Sequence, residues 1–479
     1  MSNYKVLIYG NFNIIHAGHL RLINYAKEIG SEIIIGVFAN SFVKNEKLID
    51  EKTRLNALKK VDGISKIILV KNLSQTLRDI RPDFVLKGIE HKDKENPEIK
   101  IINQIGAKLI FGHSTNTYNY SISDKFKKNL DAMVSVSLPA DYMKRHKISN
   151  HDLIRSIKSL KKKKVCVIGD LILDNYIYSH PIGMSQETPT IVVSPEKEEI
   201  FIGGAGIVAA HAASLSKKTF FFSVLPPKDQ HLSFIKNKLS KYKIDYKFFY
   251  QAENKVNFKT KYYVENNCLF KVSKLNKSNM SNITEKKIIN SFKKISSDLD
   301  LVIFSDFNYG AISKNLIESI KDICNRKNIV ISADNQSSSQ IGDITKYKSL
   351  DLITPTEFEA RIALNNSYDG IVELCNKLLK VSKVKELVIK LNRDGVIIHK
   401  SHIDSNQNFL TDKIPALNSN PVDTSGAGDS LLVGSSLALA SGINIWQSSL
   451  IGSILAAIQV SRMGNIPIKF EEINDLLGF

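Results

Sequence analysis

The chain begins with short apolar runs that alternate with amphipathic segments. The runs are rich in Ile, Val and Leu, as buried strands are, and the segments between them repeat their apolar residues at helical spacing. This rhythm predicts a parallel sheet flanked by helices, because each parallel neighbour needs a crossover connection. The predicted strands lie at 6–9, 33–38, 66–70, 84–86 and 108–111, and the rhythm ends near residue 125.

A different pattern separates this module from the next. Residues 132–164 hold a short apolar patch followed by many charges, and they end in four consecutive lysines at 161–164. The pattern predicts a linker with a docking helix, and the lysine run is typical of a solvated junction between domains. A nucleic-acid contact is the alternative for that run.

A second α/β module follows the lysines. It opens with an apolar strand at 165–168 and continues with a β-rich stretch at 176–200. A Gly-Gly-Ala-Gly turn at 203–206 then starts a helix of small residues, and strands and helices alternate from there onward. We therefore predict an α/β protein of two domains, at 1–130 and 163–479, with a linker at 131–162.

The composition fits two domains with apolar cores. The chain has 479 residues, of which 43% are hydrophobic and 24% charged, and this excludes the disordered, collagen-like and disulfide-scaffold classes. Its four cysteines form no CxxC pair or His-flanked cluster, so neither a zinc ribbon nor a disulfide framework is indicated. An export signal and an apolar run of about 18 residues are both absent from the sequence. We expect a cytoplasmic protein without membrane contact.

The net charge is strongly positive. The chain carries 66 Lys and Arg against 48 Asp and Glu, which gives +18. Such a chain can bind nucleic acid, anionic membrane or phosphorylated small molecules, or it can carry a general lysine bias. No aromatic RNA-binding motif or zinc knuckle is visible, so a nucleic-acid partner is not expected. Much of the positive excess is a general lysine bias of the sequence. The positive field that it creates would also favour the capture of anionic ligands.

The first candidate site follows the first strand. Gly10 ends that strand, and the turn after it leads through His16, Gly18 and His19 into a helical pattern. Such a turn directs backbone N–H groups and the positive end of the helix dipole at a bound phosphate. Gly18 lets the phosphate approach the backbone. The two histidines can donate hydrogen bonds to a triphosphate as charge shifts during transfer.

This turn resembles the GxFDxxHxGH hallmark of the cytidylyltransferase-like nucleotidyltransferases, over roughly the first 130 residues. The resemblance implies a Rossmann-like domain in which an alcohol or sugar phosphate attacks the α-phosphate of a nucleoside triphosphate, with Mg²⁺ assisting. Asn13 stands where the family has aspartate. The implied catalytic residues are His16, His19 and Lys44 (or Lys47), and the implied nucleotide contacts are Gly10, Phe12, Gly18, Arg54, Lys87, Ser121 and Ser123.

The second candidate site is the segment DTSGAGD at 423–429, which precedes an apolar helical pattern at 431–440. Its Gly-Ala-Gly turn exposes successive N–H groups at a helix start, where a phosphoryl group gathers negative charge during transfer. Asp429 follows the turn directly. A carboxylate at that position can accept the proton of an attacking hydroxyl.

This segment resembles the DTxGAGD signature of the ribokinase family of sugar kinases, and the likeness covers about residues 163–479. It implies a ribokinase-like α/β domain with a small β lid over the sugar, ATP as phosphoryl donor and Asp429 as base. Mg²⁺ would arrive with the nucleotide and lie near Glu359, without a direct protein site. The implied sugar contacts are Asp174, Gly203, Gly204 and Asp306, and the implied nucleotide and phosphate contacts are Glu359, Lys390, Gly395, Thr424, Gly426, Ala427 and Gly428.

This module has three departures from the family pattern. Among ribokinase relatives, it is most similar to the heptose-phosphate kinases. Thr356 and Ile207 stand where asparagine is usual, and Asn335-Gln336 stands where heptose kinases have Pro-Lys. Ile207 and Asn335-Gln336 concern the sugar contacts, so they leave the identity of the sugar open and the kinase chemistry in place.

The two resemblances together indicate a bifunctional enzyme of nucleotide-sugar synthesis. The combination resembles the bifunctional heptose 7-phosphate kinase and heptose 1-phosphate adenylyltransferase family, which makes ADP-heptose for lipopolysaccharide. In that family the kinase comes first, and here the order is reversed. The resemblance implies sugar phosphates and ATP as substrates, and a separate phosphatase that acts between the two steps. We also expect a homodimer.

Two alternatives stay open. The same two chemistries can act on another sugar, or with CTP on an alcohol phosphate such as glycerol phosphate. The other alternative is a basic nucleotide-binding or RNA-binding protein in which one or both sites have decayed.

Overall fold

The chain forms two compact units, Met1–Asp131 and Ala132–Phe479. Each has its own main sheet and its own apolar clusters, and each is described by itself. The computed structural model describes residues 4–13, 17–41, 49–59, 61, 63–88, 91, 96–111, 136–185, 187–264, 267–276, 278–337, 340–402 and 409–477. Within these ranges, no helix combines the length and the hydrophobicity of a membrane span.

The first unit is a five-stranded parallel sheet with helices between its strands. The strands are β1 (Lys5–Gly10), β2 (Glu32–Phe38), β3 (Lys66–Val70), β4 (Phe84–Lys87) and β5 (Lys108–Phe111). They pair in the order β3-β2-β1-β4-β5. The helices are α1 (Ala17–Ile29), α2 (Glu51–Leu58), α3 (Leu73–Ile80) and α4 (Ile99–Gln104).

The central strand β1 is buried on both faces. Val6 and Ile8 pack into an apolar cluster with Ile23 and Ala26 of α1, whereas Leu7 packs into a second cluster. Successive side chains of a strand point to opposite faces, so a strand covered on both sides is apolar at every position. This explains why the run is continuous in the sequence instead of alternating.

The second unit contains a nine-stranded sheet in the order β10-β9-β6-β13-β14-β15-β16-β17-β18. The pairs from β10 to β16 are parallel, and the last two pairs are antiparallel. Its strands are β6 (Lys164–Gly169), β9 (Lys218–Leu225), β10 (Asp245–Tyr250), β13 (Leu301–Asp306), β14 (Val330–Asn335), β15 (Leu352–Ile353), β16 (Glu386–Lys390), β17 (Val396–Lys400) and β18 (Thr411–Ile414).

A separate four-stranded sheet belongs to the same unit, and we call it the lid sheet. Its strands are β7 (Leu171–Met184), β8 (Ile191–Gly204), β11 (Asn257–Val264) and β12 (Asn267–Lys274), in the order β12-β11-β7-β8. The predicted β-rich stretch at 176–200 covers most of β7, the turn after it and most of β8. The paired strands extend beyond this stretch, because Leu171 at the start of β7 still pairs with Gly204 at the end of β8.

The helices of the second unit cover the nine-stranded sheet. Two apolar clusters lie on its two sides, and the small-residue helix α7 that follows the Gly-Gly turn packs into one of them. The helices are α5 (Ala140–Arg145), α6 (Asn150–Leu160), α7 (Ala205–Leu215), α8 (Leu232–Lys241), α9 (Asn282–Ile295), α10 (Lys314–Lys327), α11 (Glu357–Ala363), α12 (Ile371–Ser382), α13 (Ala427–Ala440), α14 (Ile445–Gln459) and α15 (Phe470–Leu477).

Helices α5 and α6 lie in the segment for which we predicted a linker with a docking helix. Leu153 and Ile157 of α6 are buried in the same apolar cluster as Trp446 of α14. The Tyr142 hydroxyl donates a hydrogen bond to the Trp446 carbonyl at 2.8 Å. Residues 140–160 thus contribute to the core of the second unit. The exact domain boundaries stay a prediction.

The variant Leu153→Ala tests whether α6 is part of this core. We expect it to lower the free energy of unfolding of the second unit by about 2–4 kcal/mol, because a fully buried leucine is replaced by a cavity. Urea denaturation followed by tryptophan fluorescence measures this directly, since Trp446 is the only tryptophan of the chain. Lys158→Ala on the exposed face of α6 is the control. A loss below about 1 kcal/mol would mean that α6 is only a connector.

Candidate active sites

The first candidate site lies where the strand order of the first unit reverses. From β1 the chain moves to β2 and β3 on one side, and later to β4 and β5 on the other. In open parallel sheets this reversal leaves a crevice at the carboxyl ends of the two central strands. Gly10 ends β1 and Lys87 ends β4, so both predicted nucleotide contacts lie at this crevice.

The turn after β1 is shaped by Phe12. Its φ is +45°, in the left-handed region, and its ring is 3% exposed. The ring packs against His19 with a centroid separation of 4.9 Å. His19 and Gly18 lie in the first turn of α1, which begins at Ala17, three residues before the predicted helical pattern. His16, Lys44, Lys47, Ser121 and Ser123 lie outside the described residues.

Arg54 connects three chain segments at this crevice. Its guanidinium donates to the Asn11 carbonyl at 2.6 Å, the Ile49 carbonyl at 2.8 Å and the Asn40 side-chain oxygen at 2.5 Å. Arg54 is 1% exposed, and this burial lowers the pKa of its guanidinium. Within the described part of the chain, the hydrogen bonds of the guanidinium go to these three neutral oxygens. Its contacts therefore fix the loops around the crevice. Direct nucleotide binding by Arg54 stays a prediction.

Asn13 keeps a structural contact at the position where the family has aspartate. Its side-chain oxygen accepts a hydrogen bond from the Ile49 N–H at 2.7 Å. An amide oxygen and a carboxylate oxygen can both accept this bond, but only the carboxylate brings a charge. The substitution thus preserves the loop and removes a negative charge next to the predicted phosphate site.

Lys87 is held by polar side chains. Its ammonium lies 2.5 Å from Glu98 Oε1 and 2.6 Å from Asn96 Oδ1. The Tyr9 hydroxyl donates to the same Glu98 oxygen at 2.6 Å. Burial raises the pKa of Glu98, but the hydrogen bonds from Lys87 and Tyr9 outweigh it and hold that pKa below its usual value. Lys87 is a charged group with a fixed position at the end of β4.

The second unit has its candidate site at the carboxyl ends of its parallel strands. The strand order reverses between β6 and β13, as in the first unit. Asp170 follows β6 and accepts backbone N–H groups of Phe307, Tyr309 and Ala311 at 2.9–3.2 Å. This carboxylate fixes the loop after β13. Burial, reinforced by the negative charge of Asp306, raises the pKa of Asp170.

Asp306 is bound by protein groups on several sides. Its carboxylate accepts the Tyr347 hydroxyl at 2.7 Å and the Asn335 amide at 2.8 Å, and it forms an ion pair with Lys346. The residue is 1% exposed. Asn335, one of the departures from the heptose-phosphate kinases, thus takes part in a buried polar network. A sugar contact by Asp306 stays a prediction.

Asp174 and the Gly203-Gly204 turn, which are both predicted to contact the sugar, lie next to each other. A Cβ on Gly203 would lie 2.0 Å from the Asp174 carboxylate, so only glycine leaves room for that side chain. Asn465 donates to Asp174 at 2.7 Å from a loop 291 residues away. Burial raises the pKa of Asp174. Gly204 has φ +57° and precedes α7, which starts at Ala205.

Asp423 holds the start of the glycine-rich segment. It accepts the Tyr176 hydroxyl at 2.7 Å and both the N–H and the hydroxyl of Ser425, at 3.0 and 2.7 Å. Lys261 of the lid sheet lies between these groups and donates to Tyr176 at 2.7 Å and to Ser425. Burial lowers the pKa of Lys261. Burial also raises the pKa of Asp423, but Lys261 and the hydroxyl groups outweigh it and hold that pKa low.

The glycine turn forms the N-terminus of α13, as predicted. Gly426 has φ +76°, and Ala427 and Gly428 open the helix after Thr424. A Cβ on Gly428 would lie 3.2 Å from the Lys390 ammonium, so that cation sits beside the turn. A helix start with a lysine next to it is suited to an anion.

Lys390 ends β16 and pairs with Asp334 near the end of β14 at 2.7 Å. The Asp334 side chain is buried, and the Lys390 side chain is 12% exposed. Burial lowers the pKa of Lys390, but the negative charges of Asp334 and Glu359 outweigh it, so the net shift is upward. Burial raises the pKa of Asp334 to about 6, although Lys390 opposes this. Gly395, with φ +88°, forms the turn between β16 and β17.

Asp429 lies in the first turn of α13 and is 7% exposed. Its carboxylate accepts a hydrogen bond from the Gln336 amide at 3.0 Å. Burial raises its pKa to about 7, with a further upward effect from Asp334 that Lys390 opposes. A carboxylate with a pKa near neutrality is suited to accept a proton.

Glu359 lies in the first turn of α11, where its carboxylate accepts the Ser337 N–H at 2.8 Å and the Thr356 N–H at 2.7 Å. Thr356, where the family has asparagine, caps the same helix. Among the described residues, no cluster of three or more His, Cys, Asp or Glu side chains is arranged to hold a metal. The carboxylates of Glu359 and Asp334 are hard oxygen donors, which fit a Mg²⁺ ion bound mainly through phosphates and water.

Several site residues were not singled out from the sequence. Gln336 contacts Asp429, Lys261 contacts Ser425, and Asn465 contacts Asp174. Gln336 was noted only as a departure, and no motif marks Lys261 or Asn465. Their partners are 93 to 291 residues away, so sequence spacing gives no signal for them.

Residues 162–471 match the profile of the pfkB family of carbohydrate kinases. The chain belongs to this family. Residues 7–105 match the profile called cytidylyltransferase-like, so the nucleotidyltransferase-type unit precedes the kinase unit, as the sequence analysis expected. The two matches confirm the predicted fold class, with its Rossmann-like and ribokinase-like parts, and the predicted enzyme class, a transferase.

The curated relatives are bifunctional proteins. The chain is 23% identical to Bifunctional protein HldE of Nitratiruptor sp. over 66% of its own length and 65% of the relative. It is 28% identical to Bifunctional protein HldE of Campylobacter jejuni over the same shares, 66% and 65%. It is 26% identical to that of Geobacter metallireducens over 65% and 62%. The chain thus spans just under two thirds of the length of these relatives, and the resemblance to bifunctional proteins is confirmed.

Solved structures show the fold of the kinase unit. Phosphofructokinase-2 from Escherichia coli, in complex with potassium, aligns with a TM-score of 0.54 at 13% identity, over 66% of this chain and 98% of that chain. Ribokinase from Arabidopsis thaliana, in complex with ribose and ATP, aligns with a TM-score of 0.51 at 15% identity, over 66% and 99%. These likenesses concern the fold alone.

The variant Asp429→Asn tests the protonation of this carboxylate. A native pKa near 7, above that of the unfolded chain, means that the folded state binds the proton more tightly. Stability should therefore fall by roughly 3–4 kcal/mol as pH rises from about 4 to about 7, and the asparagine variant should lack this fall. Urea denaturation of both proteins at pH 5 and pH 8 measures it.

Asp394→Asn, which changes an exposed carboxylate in the same unit, is the control and should keep the wild-type pH dependence. Equal pH dependence in the wild type and in Asp429→Asn would show that Asp429 ionises normally in the folded protein.

Proposed function

We propose that the kinase unit transfers the γ-phosphoryl group of ATP to the anomeric hydroxyl of a sugar phosphate. The observation that carries this is the position of Asp429, a buried carboxylate in the first helical turn after the glycine turn, with Lys390 beside that turn. Asp174 interacts electrostatically with Asp429. The proposed base Asp429, the anion site at the glycine turn and the proposed sugar ligand Asp174 therefore lie in one part of the second unit.

In the proposed step, Asp429 accepts the proton of the anomeric hydroxyl as that oxygen attacks the γ-phosphorus. The bond between the γ-phosphorus and the β–γ bridging oxygen breaks, and ADP leaves with the negative charge. The N–H groups at Gly426–Gly428 and the Lys390 ammonium stabilise the charge on the transferred group. Asp174, held by Asn465, orients the sugar. Mg²⁺ bound with ATP near Glu359 would neutralise phosphate charge.

The lid sheet excludes water from this step. Phosphoryl transfer to water would waste ATP, so a cover over the sugar favours transfer to the sugar. Lys261 supports this role because it joins the lid strand β11 to Ser425 in the glycine-rich segment. Thr424, Gly395 and Asp306 complete the proposed nucleotide and sugar contacts.

The first unit is proposed to transfer a nucleotidyl group to a sugar 1-phosphate. A phosphate oxygen of the sugar 1-phosphate attacks the α-phosphorus of ATP, and diphosphate leaves. His19 supports this proposal because it lies in the first turn of the helix that follows the central strand β1. Strand β4, which ends at Lys87, pairs with β1 at the reversal of the strand order. His16, Lys44, Ser121 and Ser123 are proposed as the further residues of this site.

The proposed sugar is heptose 7-phosphate and the proposed product is ADP-heptose. The match to HldE relatives and the two family profiles support a sugar kinase joined to an adenylyltransferase. The scheme includes a separate phosphatase between the steps, a homodimer and a cytoplasmic location. Asn335-Gln336, in contact with Asp306 and Asp429, is where another sugar preference would arise.

Single-site variants test the two chemistries separately. With ATP, CTP and a panel of sugar phosphates and glycerol phosphate, the wild type should yield a sugar bisphosphate and a nucleotide sugar by mass spectrometry. Asp429→Asn should lower the kinase rate by at least about 10²-fold and leave the nucleotidyl transfer unchanged. His16→Ala should do the reverse, so each variant is the control for the other.

A wild type that makes neither product with any member of the panel would contradict the proposal. CDP-linked products would assign CTP to the first unit in place of ATP. Loss of both reactions in either variant would show that the two sites are not independent.

The variant Gln336→Met tests the contact to the base. It removes the N–H that Gln336 donates to Asp429 and keeps a similar volume. The pKa of Asp429 should rise further, and the acid limb of the kcat/KM profile of the kinase reaction should move up by about one pH unit. Gln336→Lys should move it down, because a cation favours the carboxylate. Shifts of the same sign in both variants would exclude this electrostatic role.

A further inference from the structure

The turn after α14 lies between the lid sheet and the glycine-rich segment. Gln459, at the end of α14, donates from its amide to the Ser425 carbonyl at 3.2 Å and to the Gly464 carbonyl at 3.0 Å. The Gly464 N–H donates to the Asp423 carboxylate at 3.2 Å. On the other side, a Cβ on Gly464 would lie 2.5 Å from the ring of Phe201 in β8. The turn is thus fixed against both neighbours.

The side chain of Asn465, in this turn, contacts two parts of the proposed kinase site. Its Nδ2 donates to the Asp174 carboxylate on the lid strand β7 at 2.7 Å. A Cβ on Gly426 would lie 2.8 Å from its Oδ1, so the glycine turn packs directly against the other end of the amide. Asn465 is 4% exposed. One buried side chain therefore spans the distance between the proposed sugar ligand and the glycine turn.

The orientation of this amide follows from its partner. An ionised carboxylate can only accept hydrogen bonds, so the NH2 group of Asn465 must face Asp174 and its Oδ1 must face Gly426. Within the described part of the chain, this buried oxygen has no hydrogen-bond partner. An unpaired buried acceptor costs about 1–3 kcal/mol, which a leucine of similar volume would avoid. A role in stability alone therefore does not account for an asparagine at this position.

Burial opposes the ionised form of Asp174 and raises the pKa of its carboxyl. Charged groups that interact with this carboxyl come from the lid sheet and the glycine-rich segment: the cations Lys259, Lys261 and Lys271, and the carboxylates Asp423 and Asp429. The cations do not outweigh the effect of burial. A hydrogen bond to an ionised carboxylate favours that form without adding a charge. The amide of Asn465 supplies such a bond, and an amide does not titrate.

We propose that Asn465 is a positioning residue of the kinase unit, which keeps Asp174 ionised and holds it at a fixed distance from the glycine turn. The inference rests on the proposed function, in which Asp174 accepts a hydrogen bond from a hydroxyl of the sugar phosphate. An ionised acceptor binds a hydroxyl more strongly than a neutral one. Recognition of the sugar thus depends on the turn after α14 as well as on the lid sheet.

Two variants of Asn465 should change sugar binding in opposite directions with pH. Both are made in Asp429→Asn, which slows transfer and removes the titration of that carboxyl. Asn465→Leu removes the donor, so the pKa of Asp174 rises, and the sugar phosphate should lose at least about half of its stabilising effect at pH 5 and keep it at pH 8. In Asn465→Asp, two carboxyls share one proton at pH 5, so the protonated one can replace the amide as donor. At pH 8 both are charged, and sugar binding should be lost.

The measurement is the rise in melting temperature produced by the sugar phosphate of the panel that stabilises Asp429→Asn most. Each variant is compared with Asp429→Asn at the same pH, so the titration of the ligand's own phosphate cancels. Asn366→Leu is the matched control, because it removes an amide that donates to the Asp369 carboxylate at 2.6 Å elsewhere in the same unit. This control should keep the stabilising effect at both pH values.

Kinetics with Asp429 intact give a second readout. At pH 7, Asn465→Leu should raise KM for the sugar phosphate about tenfold, with a smaller change in kcat, because it weakens a charged hydrogen bond to the sugar. KM for ATP should stay unchanged. Asn366→Leu should behave as the wild type in all three parameters.

Three outcomes would overturn the inference. The two variants of Asn465 could lose sugar binding equally at both pH values, as expected for simple damage to the fold; both could match Asn366→Leu; or the change could fall on KM for ATP. Each of these leaves the proposed kinase reaction intact if the wild type still makes a bisphosphate. A wild type without any product would contradict the proposed function itself.

Discussion

The ion pair between Lys390 and Asp334, which is largely removed from water, is the interaction on which the proposed kinase site depends. It joins the ends of β14 and β16 at 2.7 Å and places the Lys390 cation beside Gly428 in the first turn of α13. Two charges removed from water are costly unless they stay paired, so the pair fixes both strand ends. The same pair sets the charge around Asp429, because Asp334 raises its pKa and Lys390 lowers it.

Other buried polar groups at this edge are fixed in the same way. Asp170 holds a loop through three backbone N–H groups, and Asp306 is held by Tyr347, Asn335 and Lys346. Parallel strands end at one edge of a sheet, so their terminal polar residues collect there without water to solvate them. Each must find a partner, and the resulting network fixes the geometry of the proposed site.

The two units position their candidate sites on similar sheets but hold the surrounding loops with different residues. Both have a parallel sheet whose order reverses near its first strand, and both have a glycine-containing segment that leads into a helix. In the first unit Arg54 ties the loops together by three hydrogen bonds to neutral oxygens. In the second, ion pairs and a lid sheet do so.

The sequence by itself determined the strands of the first unit, the glycine turns and the helix starts after them, because apolar periodicity and turn chemistry are local properties. Two predicted strands, Lys66–Val70 and Lys108–Phe111, have the same limits in the structure. The family motifs pointed to Asp174 and Asp429 as candidate site residues, and their roles stay a prediction. Only the tertiary structure decided that Gln336 contacts Asp429, that Lys261 reaches Ser425, that Asn465 holds Asp174 and that α6 joins the core. These contacts join residues far apart in the chain, and they depend on which strands pair and which faces meet, which no local pattern records.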